Sequence, residues 1–452
     1  MLGATKRGLI HQVSNQTPLN RGGVLSYALG SLGSGVYSTV PTVLLLYFCT
    51  EVLAIAPATA AVILFVPKAW AIVWDPLVGN WSDRCASRHG RRAPFMVWGT
   101  LGVAISFPAL FGAPLLGHLG TAVYVGAAYF LLAISYSLYG VPYSSVPAEI
   151  SDSKRERERI LTWRMAFAMV GVLVGAGAAP HIVEWAGGGR RGYAVMGIVV
   201  SIACGTAMML ASRAVQRQCR GRPTAAVSTT TFFAALVPVW RHRDYRRLWL
   251  AYVLIMSGVA LFLALSPYFV TRVIGRGEGD AGTALFALLG GTVAATPLWG
   301  YALQRWNAWR LLVIAIIAFV LVLMLFWTVH ALASFPLVLP LYVALGIPFA
   351  GLQLVPFALL AHISHGAAKG GSHDEGLFTG VWTAGEKLGL AIGPGVAGIG
   401  LSVVGYAAGA TFQTGASIRG VQAMMVLGPA ALLVACLLML TVQTRLARHS
   451  SV

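Results

Sequence analysis

The chain has 452 residues, of which 57% are hydrophobic and only 10% charged, with a mean hydropathy of +0.75. A soluble domain carries about 25% charged residues, so this composition excludes an ordinary water-soluble protein and fits a chain whose solvent is mostly lipid. A formal charge of +18 would suggest a nucleic-acid partner in a soluble protein. Here the arginines fall in short loops between apolar runs, which points to membrane topology and excludes nucleic acid.

Residues 1–23, with Lys6, Arg7 and Arg21, form a polar tail without the charged cap and apolar core of a cleavable signal. A helix needs about 20 apolar residues to cross a bilayer. Twelve such runs follow: 24–50, 57–81, 94–115, 120–148, 161–183 and 192–212, then 246–271, 281–303, 309–332, 336–362, 377–404 and 420–444. Alternate loops are arginine-rich, carrying Arg84, Arg88, Arg91 and Arg92, then Lys154 to Arg159, Arg213 to Arg247, Arg305 and Arg310, and Arg445 and Arg448. By the positive-inside rule these loops and both termini face the cytoplasm. Arg190, Arg191, Arg272 and Arg276 are exceptions, with Glu278 and Asp280 close by the last two.

The basic stretch 213–245 reads as a cytoplasmic linker between two six-helix bundles, 24–212 and 246–444, with 445–452 as a second tail. An internal echo agrees: Gly79-Asn80-Trp81-Ser82-Asp83-Arg84 after the second run is answered by Gly300-Tyr301-Ala302-Leu303-Gln304-Arg305 after the eighth. Two similar halves are a common build for secondary transporters. The five cysteines are scattered, with no spacing that suits a metal, and no HExxH, GxSxG or P-loop marks an enzyme.

Charged residues inside apolar runs are expensive and mark candidate function. Asp75 lies about six residues from the arginine-rich end of its run, roughly 9 Å deep at about 1.5 Å per residue. Lys387 and Glu386 stand near the middle of the eleventh run. Neighbours on a helix do not face each other, so each calls for a partner elsewhere, and Lys387 facing Asp75 is the first expectation. Lys68, two turns before Asp75, either keeps that carboxylate charged or lines a cavity. Trp382 shares the helix of Lys387 and is the favoured stacking platform, ahead of Trp70, Trp74 and Trp98. Tyr139, Tyr143 and Gln353 are further candidate polar groups of a pocket.

Three stretches together are similar to a known family. They are Asp75-Pro76-Leu77-Val78-Gly79 with Asp83-Arg84 and Arg88-His89-Gly90-Arg91-Arg92; Val141-Pro142-Tyr143 through Glu149, Asp152, Glu156-Arg157 and Trp163-Arg164; and Glu375-Gly376-Leu377-Phe378 with Trp382 and Lys387-Leu388-Gly389. The chain resembles the glycoside–pentoside–hexuronide:cation symporters of the major facilitator superfamily, the family of the melibiose carrier. The resemblance implies an all-α membrane protein with a major facilitator fold, its twelve transmembrane helices in two pseudo-symmetric six-helix halves. It also implies alternating-access symport of a small organic solute, a sugar or glycoside, with H⁺ or Na⁺ as coupling ion and no other cofactor.

By the same resemblance Asp75 matches the cation-site aspartate, Arg164 a pocket arginine and Lys387 a pocket lysine. Gly79, Asp83, Arg84, Arg91 and Arg92 match a gate motif that locks the outward-open state. The departures matter equally. A second carboxylate one turn before Asp75 is Ala71 here, and the sugar-binding acids of the first and fourth helices fall at Gly35 and Gly140. With those oxygens missing, protons are preferred to Na⁺, and an amphiphile such as a lysophospholipid is the alternative cargo. A membrane enzyme is the remote alternative. The expected partners are the solute, the cation and membrane lipids, and the expected setting is a monomer in a bacterial inner membrane.

Overall fold

A computed structural model describes residues 21–449, apart from 86, 88, 89, 151, 152, 220–239, 241, 329–334 and 370–374. The amino-terminal tail, most of the basic linker and part of the loop around Arg88 therefore lie outside the described residues. Twelve long helices carry the rest. They are α1 (Gly22–Leu45), α2 (Pro57–Arg84), α3 (Ala93–Phe111), α4 (Gly117–Pro147), α5 (Arg155–Trp185) and α6 (Gly189–Cys219). Then follow α7 (Arg243–Val273), α8 (Glu278–Arg305), α9 (Ala308–Leu325), α10 (Phe335–Ser364), α11 (Glu375–Val403) and α12 (Gly415–Leu440). Hydrocarbon offers no water to satisfy peptide groups, so apolar runs of this length close their hydrogen bonds within the helix.

Eleven of these helices are long and apolar enough to span a membrane. The exception, α11, is 29 residues long but carries Glu386, Lys387 and a dense series of glycines in its apolar run. Two helices outrun their apolar segments: α5 begins in the basic loop at Arg155, and α6 continues to Cys219. Arg, Glu and Gln are good helix formers, so the backbone stays helical after the hydropathy has ended.

The internal echo has a structural counterpart. α2 and α8 are each 28 residues long and end on Arg84 and Arg305, so the two Gly-to-Arg segments occupy the same turns of equivalent helices. In the first half α1 packs on α5 and α6, and α3 on α4 and α6; in the second α7 packs on α11 and α12, and α9 on α10. Small residues bring backbones close where membrane helices cross. A Cβ at Gly35 would run into the Ala168 carbonyl of α5, and one at Gly393 would come 2.6 Å from the Leu261 nitrogen of α7.

The halves meet where α2 lies along α11, α7 against the last turns of α1, and α8 against the last turns of α5. The last two contacts gather at the end opposite the arginine-rich loops. There the helices widen into π-turns, at Pro41–Leu45 in the last turn of α1, Phe48–Val52 just beyond it, Val174–Ala178 in α5 and Phe269–Val273 in α7. Such turns are uncommon and concentrate at functional positions.

Candidate functional site

The second and eleventh helices bring the two expected charges together. Lys387 Nζ donates to Asp75 Oδ2 across the boundary between the halves. The aspartate side chain is 19% exposed and the lysine 25%, so the pair is largely but not wholly withdrawn from solvent. Asp75 Oδ1 is buried and has no hydrogen-bond partner among the described residues. A carboxylate oxygen left in that state is costly, and it is the atom free to take a further ligand.

Lys68 sits two turns before Asp75 on α2 and does not reach it. Its ammonium donates to Thr42 Oγ1 at 2.9 Å and to the Leu390 carbonyl of α11 at 3.0 Å. It therefore ties α1, α2 and α11 together through neutral acceptors. Glu386, adjacent to Lys387 in sequence, is half-buried and has no hydrogen-bond or ion-pair partner among the described residues.

Arg164 of α5 pairs with no carboxylate among the described residues. Its guanidinium lies over the Tyr143 ring at 4.5 Å and the Tyr27 ring at 5.8 Å, with Nε 3.5 Å from Ser31 Oγ. The tyrosines are fixed in turn: Tyr143 OH shares a 2.8 Å hydrogen bond with Ser31 Oγ, and Tyr27 OH donates to the Tyr143 carbonyl. Tyr139 stacks on Tyr143 with centroids 5.1 Å apart. Tyr139 and Tyr143 are thus buried supports beneath Arg164, and the arginine is the member that reaches outward. Cation–π contact holds a guanidinium in place while leaving its N–H groups available.

Two glycines that the resemblance sets against sugar-binding acids have distinct surroundings. Gly35 is the crossing point of α1 and α5, where backbone meets backbone. Gly140 faces the ring of Tyr136, 3.2 Å from where a Cβ would stand. Tyr136 stacks face to face on Tyr37, with centroids 3.6 Å apart. Sequence reasoning did not single out the stacked pair Tyr37 and Tyr136; the signal was one tyrosine close to each of Gly35 and Gly140.

Trp382 is 1% exposed and stacked on Tyr252, with centroids 4.1 Å apart, while Phe357 meets it edge-on. In this conformation both aromatic contacts belong to the packing of the second half. Gln353 is half-buried on α10.

The residues that the resemblance matches to a gate motif divide into parts. Arg92 is buried and forks onto Asp83 Oδ1 with Nη2 at 2.8 Å and Nε at 3.2 Å, while Nη1 reaches the Ser145 carbonyl at 2.6 Å. It thereby clamps the ends of α2 and α4 to the start of α3. Arg84 is exposed, and Arg91 is half-buried beside Arg92. A Cβ at Gly79 would meet only Val141, at an ordinary 3.5 Å.

The opposite end holds a group that sequence reasoning did not assemble. Arg272, at the end of α7, donates to Glu51, in the turn after α1. Tyr406, in the connection between α11 and α12, donates to the other Glu51 oxygen at 2.6 Å. Thr50 and Tyr268 share a 2.5 Å hydrogen bond alongside. The available signal was Arg272 itself, an arginine on the side where the positive-inside rule does not expect one.

On the lipid-facing side, α2 and α4 enclose an apolar groove of about 750 Å³, lined by Val62, Val66, Val123 and Phe130 among others. The residues at its end border a second hollow that includes His118 and Tyr406.

Known proteins agree with this architecture. A putative glycoside/cation symporter of Escherichia coli, YagG, is 31% identical over 165 residues, spanning 36% of each chain. The zebrafish (Danio rerio) sodium-dependent lysophosphatidylcholine symporter 1-A is 23% identical across 86% of this chain and 79% of its own. Among solved structures, a bacterial homologue of the lysosomal transporter Spinster superposes with a TM-score of 0.68 over 94% of this chain and 96% of its own, at 14% identity. That likeness speaks for the fold alone. The family described as MFS/sugar transport protein matches residues 26–446. With two helical bundles meeting at α2 and α11 and a family match across nearly all of both, the chain belongs to the MFS/sugar transport family and is a membrane transporter rather than an enzyme.

Proposed function

We propose that the protein is a symporter in which a proton drives the uptake of a small polar solute, a sugar or glycoside, with Asp75 and Lys387 as the coupling centre. The observation that carries this reading is their ion pair, which joins α2 of one half to α11 of the other. A cation drives a conformational cycle only if it interacts differently with the two states. Here the charge on Asp75 decides whether Lys387 holds α11 to α2 at this point, beside the charge-independent contact of Lys68 with the Leu390 carbonyl. Protonation removes the attraction, and separation of the halves exposes the carboxylate for release. An alkali ion asks for several oxygens, whereas Ala71 and Gly140 contribute no side-chain oxygen beside Asp75; a proton asks for one.

Arg164 is the group we assign to the solute. It is held from behind by Tyr143 and Tyr27, and its free N–H groups suit hydroxyl or carboxylate oxygens. A second reading, carriage of a lysophospholipid, draws on the α2–α4 groove and on the missing sugar acids. The name of the zebrafish relative fits it as well.

Uptake into proteoliposomes separates these readings. Labelled glycosides and lysophospholipids are offered under a pH gradient without Na⁺, and under a Na⁺ gradient at fixed pH. Accumulation of a glycoside under the pH gradient, lost in Asp75→Asn, supports the proposal. Accumulation driven by Na⁺ alone overturns the choice of ion, and accumulation of the lipid alone overturns the cargo.

A further inference from the structure

The end opposite the arginine-rich loops is closed by a cluster with no part in the coupling site. Glu51 of the first half is 4% exposed and accepts from Arg272 of α7. Its second oxygen accepts from Tyr406 of the α11–α12 connection. The same arginine reaches the Thr411 carbonyl at 3.3 Å and the Ala410 carbonyl at 3.5 Å. One carboxylate therefore gathers α7 and the connection 404–414 against the end of α1. Around it Tyr268 packs edge-on against both Tyr47 and Tyr406.

The backbone beside this carboxylate is under strain. Ala54 has φ of +53° and is the one non-glycine residue with positive φ among the described residues. That conformation is uncommon for a residue with a side chain and persists only where its surroundings enforce it. The surroundings here are the same connection: a Cβ at Gly409, itself at φ +68°, would stand 2.7 Å from the Ala54 Cβ.

We propose that Glu51, Arg272 and Tyr406 form a latch that holds this end of the transporter shut, with the connection 404–414 as the strap it closes on. Opening this end separates Glu51 from both partners and lets the turn at Ala54 relax. The proposal rests on alternating access, and on neither the cargo nor the coupling ion.

Cys49 reports the state of the latch. It is fully buried two residues before Glu51. In a protein whose other cysteines (Cys85, Cys204, Cys219 and Cys436) are replaced by serine or alanine, a membrane-impermeant maleimide is applied from the latch side, without substrate. The parent labels slowly. Glu51→Gln and Arg272→Gln are expected to label at least about tenfold faster, since each removes an attraction made only in the closed state and leaves the remaining charge buried without its partner. Gly409→Val keeps every charge and displaces the strap, so it accelerates labelling as well. The exchanged pair Glu51→Arg/Arg272→Glu is expected to return the rate towards the parent. Rates for Glu51→Gln, Arg272→Gln and Gly409→Val that all stay within about twofold of the parent, below the effect of losing a single ordinary hydrogen bond, overturn the latch. A wrong cargo or ion would leave these rates unchanged, so failure of the symport reading is told apart from failure of this one.

Discussion

Lys68 of α2 donates to the main-chain carbonyl of Leu390 in α11, 3.0 Å away and three residues beyond Lys387. The two lysines thus stitch the same helix pair in opposite senses. Lys387 reaches from the second half to a carboxylate of the first, and Lys68 reaches from the first half to a carbonyl of the second. Only the former contact depends on a group that can take up a proton at its acceptor.

That difference predicts unequal behaviour on substitution. Asp75→Asn is expected to abolish accumulation while leaving exchange of bound solute measurable. Leaving Lys387 unpaired costs about 3 kcal/mol, so the melting temperature falls too. Asp75→Asn with Lys387→Met removes both charges and is expected to regain the stability without the coupling. Thermal unfolding in detergent beside uptake in proteoliposomes checks both parts.

For Lys68→Met the expected loss is smaller. Two hydrogen bonds to neutral acceptors are worth about 1 kcal/mol each, and the methionine fills the lysine's volume. Melting temperature should drop modestly and the coupling ratio should hold. A change in the ratio of solute to driving ion would instead give Lys68 a direct part in coupling.

The two glycines that stand in for sugar-binding acids should respond differently. Gly35→Asp drives a side chain into the α5 backbone and is expected to lower membrane expression severely, as overpacking costs about 1–3 kcal/mol and here has no room to relax. Gly140→Asp first meets the Tyr136 ring, a side chain rather than backbone, and is expected to fold. Quantitative blotting of membrane fractions distinguishes the two.

At the arginine-rich end, Arg92→Lys should fail where Gly79→Ala succeeds. Lysine cannot reproduce the fork that spans Asp83 and the Ser145 carbonyl, whereas a methyl at Gly79 makes an ordinary contact with Val141. We expect transport to fall several-fold for Arg92→Lys and to stay near the parent level for Gly79→Ala, read as initial uptake rates.

The spans were legible because lipid makes a transmembrane helix announce itself as an apolar run, least clearly in α11, where Glu386, Lys387 and the glycines dilute the signal. Asp75, Lys387 and Arg92 were legible because a charge or a dense basic turn stands out against that background. What escaped was cooperation between distant segments whose members look ordinary alone. Glu51 stands at the end of an apolar run and resembles an interfacial residue. Tyr406 lies in a glycine-rich connection, and only folding puts them beside Arg272. Tyr136 escaped because a tyrosine in an apolar run reads equally well as packing. Trp382 shows the converse: a helix shared with a charged residue does not place an aromatic face in the open, since Tyr252 already covers it.

The π-turns at the ends of α1, α5 and α7 give these helices slack. Each such turn closes its hydrogen bonds one residue later than an α-turn does. Converting one back would carry every following side chain about 100° around the axis, the angle that one residue subtends at 3.6 per turn. A rod built this way can swivel Glu51 or Arg272 out of line by a single slip in register, without melting and without bending at its middle.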